Sequence, residues 1–239
     1  DLIKNFKVPK NIGILSLDID GIDFWILKEI KNLSPTIIIC EFNPLFGKNK
    51  SITVIKLDVT CENSMKQIAT DIKCKIDILV CNAGVLNGYG GLEDDAHHSQ
   101  AIDAVLMTNI AGVFFTARSF LPHLVEKNDK SEGQSGTYGK IAVISSIMGS
   151  QERAGSNAPI YRASKAAATN LARCLAIELA PRGIAVGAYH PGWVRTDMGG
   201  PSADVSPQES AAGLLSRFDQ LNITNTGVYE SYSGEKLPF

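Results

Sequence analysis

The sequence lacks the features that mark several classes of protein. Its five cysteines, an odd number, contain no C-x-x-C pair and lie mostly in apolar runs, so free thiols in a reducing compartment are expected. The net charge of −2 gives no reason to expect nucleic acid or an anionic membrane as a partner. No apolar run approaches the roughly 18 residues of a membrane span, and no signal peptide opens the chain. We therefore expect a cytoplasmic protein with no bound metal, no membrane and no nucleic-acid partner.

Short apolar strands alternate with helical patterns along the chain, whose 239 residues favour one domain. The predicted strands are Ile12–Leu17, Thr36–Cys40, Thr53–Leu57, Ile76–Val80, Lys140–Ile144, Ile184–Ala188 and one near Gly227–Glu230. The predicted helices are Phe24–Leu33, Ser64–Ile72, Ala101–Val125 and Ile160–Ala180. This order predicts an α/β fold of Rossmann type, a three-layer αβα sandwich around a mostly parallel sheet. Because residue 1 is Asp rather than Met, we expect a fragment or a processed chain.

Polar segments between these elements are predicted to be loops. The segments "NGYGGLEDDAHHSQ" (87–100) and "EKNDKSEGQSGTYG" (126–139) are expected to be exposed and mobile. His97 and His98 in the first are expected to be solvated, and His190 to have a packing role. "MGGPSADVSPQES" (198–210) is interpreted either as a mobile lid or as an ordered loop, with Trp193 and Met198 as walls of a substrate pocket.

The strongest chemical signal is "YRASK", Tyr161–Lys165, which follows "ISS", Ile144–Ser146. Residues four apart share a helix face, so the phenol and the ammonium can point into one site. The nearby cation would lower the Tyr161 pKa from about 10 and make the phenol a general acid or base. Ser146, at the carboxyl end of a strand, would hydrogen-bond the reacting oxygen. An exposed Y-x-x-x-K pair is by itself more often structural, so the interpretation depends on the other motifs.

Four other motifs stand in a consistent order along the chain. "DILVCNAG" (77–84) runs from a strand into a small-residue turn that a flat ligand can approach. "LDVT" (57–60) ends a strand with a carboxylate able to accept from an adenine amino group. "MTNIAGVFF" (107–115) places Asn109 inside a helix, where an amide has low propensity, and "HPGWVRTDM" (190–198) breaks a strand with Pro-Gly.

With these motifs, the sequence from about Ser51 to Phe239 resembles the short-chain dehydrogenase/reductases, and most of all their C-factor-like and carbonyl-reductase-like members. The resemblance implies a catalytic tetrad of Asn109, Ser146, Tyr161 and Lys165. Tyr161 would donate the proton, Ser146 would orient the carbonyl, and Lys165 would hold the nicotinamide ribose. Asn109 would kink its helix and hold a water that feeds protons toward Lys165.

The resemblance also implies a nicotinamide cofactor, with NADP favoured over NAD, and hydride transfer to or from a small carbonyl or alcohol. It leaves a homodimer or homotetramer open. The residues it implies for cofactor binding, besides Tyr161 and Lys165, are Asp58 and Val59 for the adenine, Asn82, Ala83 and Gly84 for its ribose, and Pro191, Gly192, Val194 and Thr196 for the nicotinamide amide.

Residues 1–50 depart from this pattern. The family opens with a T-G-x-x-x-G-x-G turn whose backbone amides bind pyrophosphate, whereas "LSLDIDGIDFW" (15–25) offers one glycine among three aspartates, Asp18, Asp20 and Asp23. A carboxylate close to a phosphate repels it, at a cost on the order of 1 kcal/mol per contact when partly desolvated. The aspartates are interpreted as caps of the following helix, or else as ligands of a hard cation.

The N-terminal segment resembles an internal piece of S-adenosylmethionine-dependent methyltransferases. We therefore divide the single domain into an atypical βαβ segment at 1–50, without the phosphate loop, and a short-chain-dehydrogenase-like region at 51–239. Two alternatives to an active reductase stay open. One is a non-catalytic or impaired member with weak dinucleotide binding, and the other, less favoured, is a methyltransferase.

Overall fold

A single mixed sheet organises the molecule. The computed structural model describes residues 12–18, 37–39, 54–55, 57–72, 75–124 and 138–239. Its strands are β1 (Ile12–Asp18), β2 (Ile37–Ile39), β3 (Val54–Ile55), β4 (Ile76–Cys81), β5 (Lys140–Ile144), β6 (Ala185–His190) and β7 (Tyr229–Ser231). They lie in the order β3-β2-β1-β4-β5-β6-β7. From β1 through β4, β5 and β6 to β7 every pairing is parallel.

Helices cover both faces of the sheet. The α-helices are α1 (Glu62–Asp71), α2 (Ser99–Leu106), α3 (Gly112–Phe120), α4 (Pro159–Leu179) and α5 (Pro207–Gln220). A π-helix, Met107–Ala111, joins α2 to α3, and short 3₁₀ turns lie at Leu121–His123, Ile147–Gly149 and Ala180–Arg182.

The alternation of side chains along the central strands produces two cores. Leu79, Ile141 and Val186 belong to the larger core, with residues of α1, α3 and α4. Their strand neighbours, among them Val80 and Ala142, pack in a second cluster with α5. Because successive strand residues point to opposite faces, this arrangement has three layers, and the predicted α/β sandwich is confirmed.

The N-terminal strands differ from the prediction in their direction. β2 runs antiparallel to β1, with Ser16 opposite Ile39, and β3 runs antiparallel to β2. A βαβ unit has parallel strands, so this antiparallel pairing differs from the βαβ pattern of the sequence at residues 1–50. The predicted helix Phe24–Leu33 lies outside the described residues, as do Asp20 and Asp23.

Two helices differ from the sequence prediction. The segment predicted as one helix, Ala101–Val125, is interrupted by the π-helix, which contains Asn109. α5 was not predicted, although its signals are present: Ser206 caps it by accepting from the Glu209 amide, and Pro207 occupies its first turn. Residues 207–210 of the predicted lid therefore belong to a helix.

The helical stretch Ser99–His123 is long and apolar enough, by length and composition, to cross a bilayer. Core helices of globular proteins meet the same criterion. Val113, Ala117 and Phe120 from this stretch are buried in the larger core, whereas Leu106, Met107 and Phe114 are exposed.

Candidate active site

Ser146 lies where β5 ends, at the carboxyl edge of the sheet. It forms the N-cap of the Ile147–Gly149 turn, and its hydroxyl accepts from the Met148 amide at 3.2 Å. Only 7% of the residue is exposed. Its hydroxyl proton is free of this contact, because the bond to Met148 uses an oxygen lone pair.

Tyr161 and Lys165 stand one turn apart near the start of α4, as the sequence spacing predicted. Both are buried, at 7% and 4% exposure. The Lys165 ammonium lies 5.6 Å from the centroid of the Tyr161 ring. It donates a hydrogen bond of 2.9 Å to the carbonyl of Ile144, two residues before Ser146. The pair is therefore buried at the sheet edge rather than exposed on a helix face.

The start of α4 is anchored to the 87–100 loop. Ala158, before Pro159, is fully buried with φ 47°, a left-handed conformation that is costly for alanine. Its amide points at the carbonyls of Tyr89 (3.0 Å) and Gly90 (2.9 Å). The loop expected to be exposed and mobile is thus hydrogen-bonded to the start of the helix that carries Tyr161.

Histidines and an aspartate organise this same loop. The Asp94 carboxylate accepts from the amides of Gly90 (2.7 Å) and Ala96 (2.9 Å), and these bonds, the Ala96 bond first, lower the pKa of Asp94. His97 contacts the Gly90 carbonyl at 3.2 Å, and His98 caps α2 by accepting from the Ala101 amide. His97 is therefore half-buried rather than solvated, whereas His98 is exposed, as expected, and also caps a helix.

Asn109 is fully buried in the π-helix, and its side chain is bonded to protein atoms. Its oxygen accepts from the Val85 amide at 2.8 Å, and its nitrogen donates to the Val85 carbonyl at 3.0 Å and to the Ser164 hydroxyl at 2.9 Å. Ser164 in turn donates to the Tyr161 carbonyl at 2.7 Å. The helix distortion expected at Asn109 is present, whereas its role in holding a water stays a prediction.

The turn after β4 brings Asn82, Ala83 and Gly84 beside this cluster. A Cβ atom on Gly84 would lie 3.0 Å from the Lys165 ammonium and 3.5 Å from the Asn109 side-chain oxygen. The absence of a side chain therefore keeps open the space in front of Lys165. Gly84, which the resemblance implied for the adenine ribose, thus lies beside Lys165, which the resemblance implied for the nicotinamide ribose.

Asp58 and Val59 follow β3, at the edge of the sheet. The Asp58 carboxylate is exposed and accepts from the Thr60 amide (2.9 Å) and hydroxyl (2.7 Å). Val59 lies against Gly112, where a Cβ atom would come 2.9 Å from the valine methyl. The pair is thus connected to the start of α3, immediately after the π-helix.

The segment after β6 is a turn that hydrogen bonds hold in place. Gly192 has φ 89°, which favours glycine, and the Pro191 carbonyl accepts from the Ser210 hydroxyl at 2.6 Å. Val194 bridges to Val205, and Thr196 donates through its amide to the Val194 carbonyl at 2.8 Å. Because β5 and β6 are parallel neighbours, this turn and Ser146 lie at the same edge of the sheet.

Three further hydrogen bonds join residues 199–204 to this turn. The Trp193 indole donates to the Gly199 carbonyl at 2.8 Å, and the Arg195 guanidinium donates to the carbonyls of Ala203 (2.9 Å) and Asp204 (2.8 Å). Trp193 is half exposed, at 51%. These bonds favour the ordered-loop interpretation of residues 198–206.

Sequence reasoning missed the hydroxyl groups behind the tetrad. The Ser145 hydroxyl donates to the Lys165 carbonyl, and the buried Tyr229 donates to the Ser146 carbonyl. Burial raises the pKa of Tyr229 to about 12. The signals for Ser145 and Ser164 were present as the Ser-Ser doublet and the serine of "YRASK", but nothing in the local pattern pointed to Tyr229.

The model of the family described as short chain dehydrogenase matches residues 41–206. The chain belongs to this family. The C-signal protein of Myxococcus xanthus is 32% identical over 178 residues, which cover 73% of this chain and 100% of that protein. Membership makes the chain an oxidoreductase of the short-chain dehydrogenase type.

Solved structures of the family share the fold. The NADPH-bound carbonyl reductase from chicken fatty liver has a TM-score of 0.73 at 25% identity, covering 97% of this chain and 100% of that one. The carbonyl reductase Sniffer of D. melanogaster has a TM-score of 0.77 at 24% identity, covering 95% of this chain and 99% of that one. The family match begins at residue 41, so it leaves the aspartate-rich segment outside.

Proposed function

We propose that this short-chain dehydrogenase reduces a small carbonyl compound with NADPH, and catalyses the reverse oxidation of the alcohol. The observation that supports this most is the buried Lys165 ammonium, held 5.6 Å from the Tyr161 ring and bonded to the carbonyl of Ile144 beside Ser146. The carbonyl-reductase neighbours agree with it. One of them is described as NADPH-bound, which favours NADP over NAD.

The described residues fit the nicotinamide end of the cofactor. Gly84 leaves room in front of the Lys165 ammonium, which would bond the ribose hydroxyls, and Pro191, Gly192, Val194 and Thr196 would bracket the amide. Asp58 and Val59 would meet the adenine. Most of the segment that faces the pyrophosphate in the family lies outside the described residues.

Each residue of the tetrad has a separate task in the proposed reaction. A bound nicotinamide dinucleotide supplies the hydride that adds to the carbonyl carbon. The Ser146 hydroxyl donates to the carbonyl oxygen and orients it. The Tyr161 phenol transfers its proton to that oxygen as the alcohol forms, and the Lys165 charge stabilises the resulting phenolate. Asn109 holds the π-helix against Val85 and Ser164, which keeps the backbone of Tyr161 in place.

The test removes one hydroxyl from the site and one from outside it. In Tyr161→Phe we expect kcat for NADPH-dependent carbonyl reduction to fall by at least about 100-fold, because the general acid is lost. Tyr189→Phe is the matched control: Tyr189 is fully buried in the second core, and its hydroxyl has no hydrogen-bond partner among the described residues. Wild-type kcat in Tyr161→Phe would contradict the proposal.

The aspartate-rich segment favours a second candidate, a member of the family that binds dinucleotide weakly and does not catalyse. Titration with NADPH and NADH, followed by nicotinamide fluorescence, separates the two. Micromolar binding with carbonyl turnover supports the reductase, and no binding up to millimolar NADPH supports the second candidate. Binding of S-adenosylmethionine in the same experiment would instead favour methyl transfer.

A further inference from the structure

Two consecutive residues at the end of β5, Ile144 and Ser145, hydrogen-bond the side chain and the backbone of Lys165. The ammonium donates to the carbonyl of Ile144 at 2.9 Å, and the Lys165 backbone carbonyl accepts from the Ser145 hydroxyl at 3.0 Å. Ser145 is 1% exposed. The next residue is Ser146. The end of β5 that leads to the Ser146 hydroxyl is therefore also hydrogen-bonded to α4, the helix that carries the Tyr161 hydroxyl.

A second hydroxyl, that of Thr169, belongs to the same hydrogen-bond network. Thr169, one turn further along α4, lies 2.6 Å from the Ser145 hydroxyl and 3.0 Å from the same Lys165 carbonyl. Because each hydroxyl has one proton, Thr169 donates to the Ser145 oxygen when Ser145 donates to the carbonyl. Both side chains are buried, at 1% and 3% exposure. A hydrogen-bond network shielded from water is stiffer than the same network at the surface, because no solvent competes for its members.

The backbone of the turn that follows Ser146 also lies close to α4. A Cβ atom on Gly149 would lie 2.7 Å from the Lys165 carbonyl carbon and 2.9 Å from the Ala166 nitrogen. The turn that carries Ser146 is therefore in backbone contact with α4. In this contact the Ser145 hydroxyl forms a directional bond, whereas Gly149 contributes only close packing.

We propose that Ser145 is a positioning residue: by bonding the Lys165 carbonyl, it fixes the distance between the Ser146 hydroxyl and the Tyr161 phenol. The inference rests on the proposed function, in which both hydroxyls meet the same substrate oxygen. A displacement of about 1 Å between groups that act together can reduce a rate on the order of 100-fold.

The first measurement compares Ser145→Ala with Ser231→Ala. Ser231 is also a buried serine, at 4% exposure, but its hydroxyl contacts Ser233 and the Glu235 amide rather than α4. In Ser145→Ala we expect kcat, per NADPH-binding site, to fall about ten-fold or more. KM and the Kd for NADPH should stay within about two-fold, because these report binding rather than alignment. The control should keep wild-type kcat.

The second measurement asks whether Ser145 acts through Ser146. In a Ser146→Ala background, adding Ser145→Ala should change kcat by less than about two-fold, because there is no longer a serine hydroxyl to align. A merely structural role would reduce kcat by the same factor in both backgrounds. Such additivity would overturn the proposal.

A third variant covers loss of folding, which urea denaturation of each protein detects. If Ser145→Ala does not fold, Ser145→Cys keeps the volume with a weaker donor, and kcat should fall by about three-fold or more. Wild-type kcat in the folded variant, together with an inactive Tyr161→Phe, overturns the positioning role alone. Wild-type kcat in Tyr161→Phe overturns the proposed function and this inference with it.

Discussion

His190 ends β6 one residue before Pro191, and its side chain is mostly enclosed. Burial, and to a lesser degree the nearby Arg153 charge, lower the pKa of His190 to about 4. The imidazole is therefore neutral near pH 7, which agrees with the packing role expected for it. At the residue scale, hydrogen-bond partners differ between the two buried groups: the Lys165 side chain donates to the Ile144 carbonyl, whereas Nδ1 of His190 has no partner among the described residues.

This pKa makes stability depend on pH. The unfolded histidine has a pKa near 6.5, so between about pH 6.5 and pH 4 the unfolded chain binds a proton that the folded chain does not. The contribution is complete above that window and is lost as the pH falls through it. Between pH 7 and pH 5 we expect the free energy of unfolding to drop by about 2 kcal/mol from this group.

Urea denaturation at both pH values checks the prediction. His190→Gln should remove about 2 kcal/mol from the difference between the two pH values. His123→Gln, at a histidine outside this turn, should leave that difference as in the wild type. An equal pH dependence in His190→Gln and the wild type would contradict the assigned cause.

At the scale of elements, β6 and β7 carry two buried tyrosines with different partners. Tyr229 on β7 donates to the carbonyl of Ser146 and so connects the edge strand to the turn after β5. Tyr189 on β6 faces the second core against Phe218, with ring centroids 5.1 Å apart. Its hydroxyl has no hydrogen-bond partner among the described residues. The Tyr229 hydroxyl therefore connects two elements, whereas burial of the Tyr189 hydroxyl without a hydrogen bond lowers the free energy of unfolding.

Removal of each hydroxyl should therefore have a different effect. Tyr229→Phe loses a hydrogen bond and should lower the free energy of unfolding by about 1 kcal/mol. Tyr189→Phe loses no bond and should leave stability unchanged or raise it by a similar amount. Urea unfolding of the two variants gives the comparison. A larger loss in Tyr189→Phe than in Tyr229→Phe would show that these hydrogen bonds are wrongly assigned.

At the scale of the whole molecule, the residues proposed to bind the dinucleotide come from separate parts of the sheet edge. The turns after β3, β4 and β6 carry the residues proposed to hold the cofactor, and the turn after β5 and helix α4 carry the groups proposed to react. A ligand that binds all of them stabilises only the folded chain. Binding of the dinucleotide should therefore raise the free energy of unfolding, and this rise can be measured independently of turnover.

Thermal unfolding with and without NADPH measures this linkage. At 100 times its Kd, NADPH should add about 2.7 kcal/mol, which corresponds to a rise in Tm of roughly 5–10 °C for a chain of this size. S-adenosylmethionine at the same concentration should leave Tm unchanged. A shift with S-adenosylmethionine and none with NADPH would reverse the choice between reductase and methyltransferase.

Local pattern predicted much of the fold and the site. The central strands and α4 match their expected positions closely, because the period of apolar residues reflects which face each element buries. The Tyr161–Lys165 pair was predicted for the same reason, since four residues make about one helical turn. α5 was missed because "MGGPSADVSPQES" was interpreted as a loop, although the Ser206–Pro207 start signal lies inside it.

The sequence by itself determined the helical spacing of Tyr161 and Lys165, the strand that ends in Ser146, and the family. Tertiary structure alone decided the contacts between elements: Asn109 meets Ser164 across 55 positions, and Tyr229 meets Ser146 across 83. It also decided the antiparallel direction of β2 and the burial that keeps His190 neutral. The physical reason is that geometry within one element follows from backbone periodicity, whereas a contact between distant elements depends on how all the layers pack at once.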